Sequence, residues 1–118
     1  MDENKNKLRE DTIDFALNVS EVCDGINGYS VYKNQLLRCS SSIGANIHEA
    51  KYAQSRADFI NKLEVALKES SESEYWLELL FRKQLISEIK FKKLKSDCGS
   101  IRSRLIKSVK TAKSNVDM

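Results

Sequence analysis

Few residues of this 118-residue chain combine the types and spacing that catalysis needs. One histidine, His48, could act as a base, and the serine run in RCSSSIGANIHEA, residues 38–50, could offer a nucleophile. Acyl transfer asks for more: a nucleophile in reach of the base, a third group that orients it, and donors for an oxyanion. His48 has no evident Asp or Cys partner, so no catalytic site is assembled and the chain reads as a non-enzyme. Cys23, Cys39 and Cys98 are odd in number and widely spaced, with no second Cys or His at ligand spacing. They read as buried free thiols, and neither a metal nor a cofactor is implied.

Anion recognition has more support, because the formal charge of +3 hides an asymmetry. Residues 1–81 hold 9 Lys+Arg against 14 Asp+Glu, whereas residues 82–113 hold 11 against 2. Such an imbalance points either to an anionic partner for the basic segment or to acidic neighbours within the fold or assembly.

The elements that must position these residues are helical. There is no proline, and apolar residues recur at spacings of three and four throughout. A first helix is expected over residues 5–23, with Leu8, Ile13, Ala16, Leu17, Ser20 and Cys23 on its inner face and Phe15, Val19 and Val22 beside it, ending at DGINGY. A second over residues 31–52 carries Tyr32, Leu36, Cys39, Ile43, Ile47 and Ala50 on its seam. Ser55, with Asp58 three positions on, caps a third over residues 56–83, whose seam is Phe59, Leu63, Ala66, Ser70, Ser73, Leu77 and Leu80. After a QLIS link capped by Ser87, a fourth turns Phe91, Leu94, Cys98, Ile101, Leu105, Ser108 and Ala112 inward. Short links favour antiparallel neighbours, hence one all-α domain over residues 1–118, an up-down-up-down four-helix bundle. Disorder is expected only in the first few residues and beyond Lys113. No stretch reaches the roughly 18 to 20 apolar residues of a membrane span, and the start MDENKNKLRED is unlike a signal peptide, so a cytoplasmic location away from membranes is expected.

Ser, Gly and Asn cost helix stability, so their density in residues 38–50 needs a reason. On a helical wheel Arg38, Ser42, Asn46 and Glu49 share one flank of the second helix. A hairpin turning near residues 53–55 brings Arg38 level with Glu72 and Glu74, which predicts a polar seam between helices two and three made of these six residues. The third helix also has a second apolar set, Val65, Tyr75, Trp76 and Leu79, expected to face outward as a subunit interface. On the fourth helix Lys92, Lys107 and Lys110 are expected on the outward back with Lys93, Lys95, Arg104 and Lys113 flanking. Between them Ser96, Gly99 and Ser103 leave a bare strip that a phosphate backbone, or a neighbouring helix, could approach.

QLLRCSSSIGANIHEA, residues 35–50, and QSRADFINKLEVALKESSESE, residues 54–74, are similar to the paired motifs QLRRAAxSIPANIAEG and KEFIxFLxIALGSLxExE. In these and in its flanks, IDFALNVSEV and RSRLIKSVKTAK, the chain resembles the bacterial four-helix-bundle proteins encoded in intervening sequences of 23S rRNA genes. That family includes the accessory variability determinant of diversity-generating retroelements. Arg38, Ser42, Ile43, Ala45, Asn46, Ile47 and Glu49 match the first motif, while Phe59, Ile60, Leu63, Ala66, Leu67, Glu72 and Glu74 match the second. Gly44 stands where the motif has proline, permitting a bend without enforcing one, and His48 and Ala50 are further departures. The resemblance implies a closed bundle, a homopentameric ring able to bind RNA or DNA, and a reverse transcriptase or another protein as a partner. It implies no catalytic activity. Two functions remain open: an oligomeric nucleic-acid-binding accessory protein, or an oligomeric scaffold that meets an acidic partner protein.

Overall fold

A computed structural model describes residues 3–116 and builds four helices: α1 (Glu3–Asp24), α2 (Ser30–Ala50), α3 (Arg56–Arg82) and α4 (Glu88–Val116). α1 begins at Glu3 and α4 runs past Lys113 to Val116, while residues 1, 2, 117 and 118, on which part of the expectation of disordered ends falls, lie outside the described residues.

Each boundary has a local cause. Past Asp24, Gly25 and Ile26 donate to the carbonyls of Val22 and Cys23 at 3.1 and 3.0 Å, tightening the last turn of α1 before Gly28 reverses the chain at φ 76°. Ser55 caps α3 by accepting from the Asp58 amide at 3.0 Å, and the Asp58 carboxylate accepts from the Gln54 amide at 3.2 Å, one residue outside a strict capping box. α3 ends in a Schellman turn: Gln84, at φ 65°, donates to Phe81, and Leu85 donates back to Leu80. Ser87 then caps α4, accepting from the Lys90 amide at 3.2 Å.

Links of five residues reach about 17 Å at most, far short of α3, which at about 1.5 Å per residue spans about 40 Å. Successive helices must therefore run antiparallel, and cross-helix pairs agree. Arg38 of α2 meets Glu72 of α3, whereas Glu49, later in α2, meets Lys62, earlier in α3. Likewise Glu74 meets Arg102, and the earlier Glu64 meets the later Lys113. α1 packs on α2 and α4, and α3 on the same two, so the bundle closes as a ring of four helices with no diagonal contact among the described residues.

The core follows the predicted seams of α2 and α3 closely: Leu36, Cys39, Ile43, Leu63, Ala66, Leu77 and Leu80 are buried, although Phe59 is only half-buried. On α4 Val109 is buried in place of Ser108. The predicted face of α1 is corrected. Ile13 is 39% and Leu17 61% exposed, and the buried line is Leu8, Thr12, Phe15, Val19 and Cys23. The reason is Gly44, in the middle of an unbroken α2: a Cβ built there would stand 3.0 Å from Thr12 Oγ1 and 3.3 Å from Thr12 Cβ. α1 and α2 meet at a glycine, so the small Thr12 must face inward and the bulkier Ile13 is turned out. Thr12 tolerates burial because its hydroxyl donates to the Arg9 carbonyl at 2.7 Å.

The Gly44 contact yields a stability test. Gly44→Val should destabilise the bundle by about 1–3 kcal/mol in urea unfolding, through overpacking against Thr12. Adding Thr12→Ala, measured against Thr12→Ala alone, should return part of that loss. An unchanged midpoint for Gly44→Val would show that the two helices are not held at this distance.

Candidate nucleic-acid interface and the polar seam behind it

The outward back of α4 carries the basic residues, and the bundle neutralises some of them. Lys92 pairs with Glu88 at 3.3 Å and Lys93 with Asp97 at 2.9 Å, both along the helix. Arg104 reaches Asp11 of α1 at 2.9 Å and Lys113 reaches Glu64 of α3 at 3.0 Å. Lys107 and Lys110 are exposed and have no carboxylate partner among the described residues. Lys95 also lacks one and lies 5.7 Å above the Phe91 ring. Ser96 and Ser103 are exposed between these groups, while Gly99 turns toward α3, with Glu74 Oε1 4.0 Å from the position of its missing Cβ.

Between α3 and its other neighbour, α2, runs the polar seam, with a changed set of partners. Arg38 forks between Glu69 at 2.8 Å and Glu72 at 2.5 Å. Glu74 does not face Arg38; it pairs with Arg102 of α4. Glu49 meets Lys62 at 3.6 Å. Ser42 and Asn46 stay within their own helix, Ser42 donating to the Arg38 carbonyl and Asn46 to the Ser42 carbonyl, each at 2.8 Å. Glu69, only 8% exposed, escapes the sequence reading, although its place three residues before Glu72 sets both carboxylates on one helical face.

Deeper still, small polar groups link three helices. Ser73 Oγ donates to the Glu69 carbonyl at 2.9 Å and lies 3.3 Å from Cys39 Sγ, and Cys98 Sγ lies 3.2 Å from the Ser70 carbonyl. All three cysteines are free and buried. Burial pushes the Cys23 and Cys39 thiols up and takes Cys98 to about 12. Thiolate character is thereby suppressed near neutral pH. His48 is exposed, tilted against the Tyr52 ring. Among the described residues no three His, Cys, Asp or Glu side chains gather into a metal-binding group.

The apolar set of α3 does not form one outward surface. Trp76 folds back onto Tyr32 of α2, ring centres 6.1 Å apart, and its indole N–H donates to Glu72 at 3.1 Å. Val65 and Leu79 are half-buried, leaving Tyr75 exposed and edge-on to Trp76.

The bundle thus defines a class: a closed all-α fold with a polar seam between its central helices and a basic outer helix. The chain belongs to the 23S rRNA-intervening sequence protein family, whose model matches residues 4–107. It is similar, with 41% identity and a TM-score of 0.84, to a crystal structure of a protein with unknown function from the S23 ribosomal protein family of Bacteroides thetaiotaomicron. That match covers 90% of this chain and 97% of the other. Among curated proteins none matches. No described helix is long and apolar enough to cross a membrane.

Two measurements test the seam. In double-mutant cycles by chemical denaturation, Arg38 should couple to Glu69 by about 1–2 kcal/mol and more weakly to Glu72, while Arg38 with Glu74 should stay below about 0.5 kcal/mol. Equal coupling to Glu74 would overturn the assignment. The second is pH dependence. The Trp76 indole N–H and then the Arg38 guanidinium hold the Glu72 carboxyl below its ordinary 4.5. A depressed carboxyl stabilises the fold above its unfolded value and loses that contribution as pH falls through the folded one. Wild-type stability should therefore drop below about pH 4.5, and Glu72→Gln should flatten that limb.

Proposed function

We propose that this protein is a non-enzymatic nucleic-acid-binding accessory protein of the cytoplasm, acting as a homopentameric ring that presents α4 to phosphates. The observation that carries the reading is the charge of Lys90, Lys95, Lys107 and Lys110, without a carboxylate partner among the described residues, on a helix whose remaining cations are paired to carboxylates of α1, α3 and α4. Free ammonium groups on one convex helix, repeated around a ring, bind phosphate chains with little sequence preference and strong salt dependence. The bare Ser96 and Ser103 positions leave room for a backbone to approach. The ring rests on the family likeness. Within this chain, self-association has its best support on α1, where Ile13 and Leu17 are exposed, rather than on the α3 set around Trp76.

Lys95, Lys107 and Lys110 changed together to Glu should leave the helical signal and oligomer size intact while abolishing binding to duplex DNA or structured RNA. Each lost phosphate contact should flatten the dependence of log affinity on log salt by about 0.7–0.9. Retained binding with an unchanged slope would remove α4 from the mechanism and favour a scaffold that meets an acidic partner protein. Light scattering tests the ring separately: a particle of one 13.5 kDa chain at micromolar concentration would rule it out.

A further inference from the structure

A second surface stands apart from the lysines, at the end of the bundle formed by the α1–α2 and α3–α4 links. Four aromatic rings are arranged there in a ladder. Tyr29 stacks on Tyr32, centres 6.0 Å apart and 18° from parallel; Tyr32 stacks on Trp76; and Tyr75 meets Trp76 edge-on at 5.1 Å. The outer members are open to solvent, Tyr75 being 60% and Tyr29 44% exposed. A groove of about 410 Å³ runs between Tyr32 and Tyr75 and is bordered by Glu78, Leu79, Arg82 and Lys83.

Covering the bundle's edge would account for Tyr32 and Trp76. It does not account for Tyr29, which has φ 54° and ψ 40°. A bulky residue in the left-handed region is an outlier that costs roughly 1–3 kcal/mol and persists where its surroundings enforce it. Its ring stays nearly half open, with the Lys83 ammonium 5.5 Å from its centre.

We propose that this groove binds single-stranded nucleic acid, with an unpaired base stacking on the exposed ring of Tyr75 while Lys83 and Arg82 meet the adjoining phosphates. This rests on the nucleic-acid reading above and adds to it a preference for unpaired strands. Exposed rings beside cations recognise bases irrespective of sequence, because every base has a π-face, and a duplex keeps its bases stacked out of reach. Of the charged groups on the groove, Arg82 is paired with Glu78 at 2.8 Å and Lys83 has no carboxylate partner among the described residues, so the balance favours an anionic ligand.

The test uses the full chain, a labelled single-stranded oligothymidylate and a duplex of the same length. Trp76 is the single tryptophan and lies edge-on to Tyr75, so its fluorescence reports on this end of the bundle. Oligothymidylate should quench it saturably and the duplex should not. Tyr75→Ala should weaken single-strand binding at least about fivefold and leave duplex binding unchanged, whereas Tyr75→Phe, which keeps the ring, should bind as wild type. The Lys95, Lys107 and Lys110 to Glu variant should lose affinity for both probes. Binding of both probes with no Trp76 response, or a Tyr75→Ala variant of wild-type affinity, would overturn the groove and spare the α4 reading. Failure of the wild-type chain to bind either probe would overturn both. A Trp76 response to a lysine-rich peptide and none to oligothymidylate would reassign the groove to a cationic protein segment.

Discussion

The close approach of α2 to both of its neighbours is the constraint on which the rest of the bundle depends. On one flank Gly44 lies against Thr12 with no room for an unshifted Cβ. On the other, Arg38 spans to Glu69 and Glu72. Between them Cys39 and Ser40 are buried, so the helix is narrow along its middle turns. Large side chains would hold helix axes near the upper end of the usual range of about 8–10 Å. The serine-rich run gives up helix propensity, a few tenths of a kcal/mol per residue, for this packing. Ser40, Ser41 and Ser42 return their hydroxyls to carbonyls of their own helix, so none remains unsatisfied.

Charge then fixes how α4 lies on this frame. Arg102 to Glu74 and Lys113 to Glu64 tie it to α3, and Arg104 to Asp11 ties it to α1. Partly exposed pairs of this kind contribute about 0–1 kcal/mol each, small beside the burial of Leu94, Cys98, Ile101 and Leu105. Their value is in register: a slip of α4 along α3 would break both α3 pairs together. The acidic bias of the first three helices and the basic bias of the fourth are thus partly one internal fit. The lysines left over, Lys90, Lys95, Lys107 and Lys110, form no ion pair among the described residues.

The fold was legible from spacing alone in α2, α3 and α4, because each has a strong inner apolar stripe and a serine or glycine at its boundary. α1 was not, since Leu8, Thr12, Phe15, Val19 and Cys23 share the helix with a neighbouring pair, Ile13 and Leu17, whose apolar side chains blur the edge of the buried stripe. Gly44, on another helix, lies against Thr12 and marks the side of α1 that meets α2. The polar seam was half legible. An antiparallel hairpin brings Arg38 to the level of Glu72, but whether Glu69 or Glu74 shares it depends on a rotation of less than a turn, and Arg102 of α4 competes for Glu74. Trp76 was misread as outward for a related reason: the pull comes from Tyr32 on α2, which the pattern of α3 does not contain, and from the indole hydrogen bond to Glu72 one turn earlier on α3.

One carboxylate oxygen joins the seam to the aromatic end of the bundle. Glu72 Oε2 accepts from Arg38 at 2.5 Å and from the Trp76 indole at 3.1 Å, and Trp76 stacks on Tyr32, which stacks on Tyr29. Rings held only by apolar contact slide over one another at little cost, whereas an indole fixed by a charge-assisted hydrogen bond keeps one orientation. Arg38 in turn is oriented by Glu69, buried at the base of the seam. The conformation of the open tyrosines therefore depends on a chain of contacts that begins with the residue heading the serine run. That position reads as packing when α2 is considered alone; taken with α3, it sets the shape of the exposed surface.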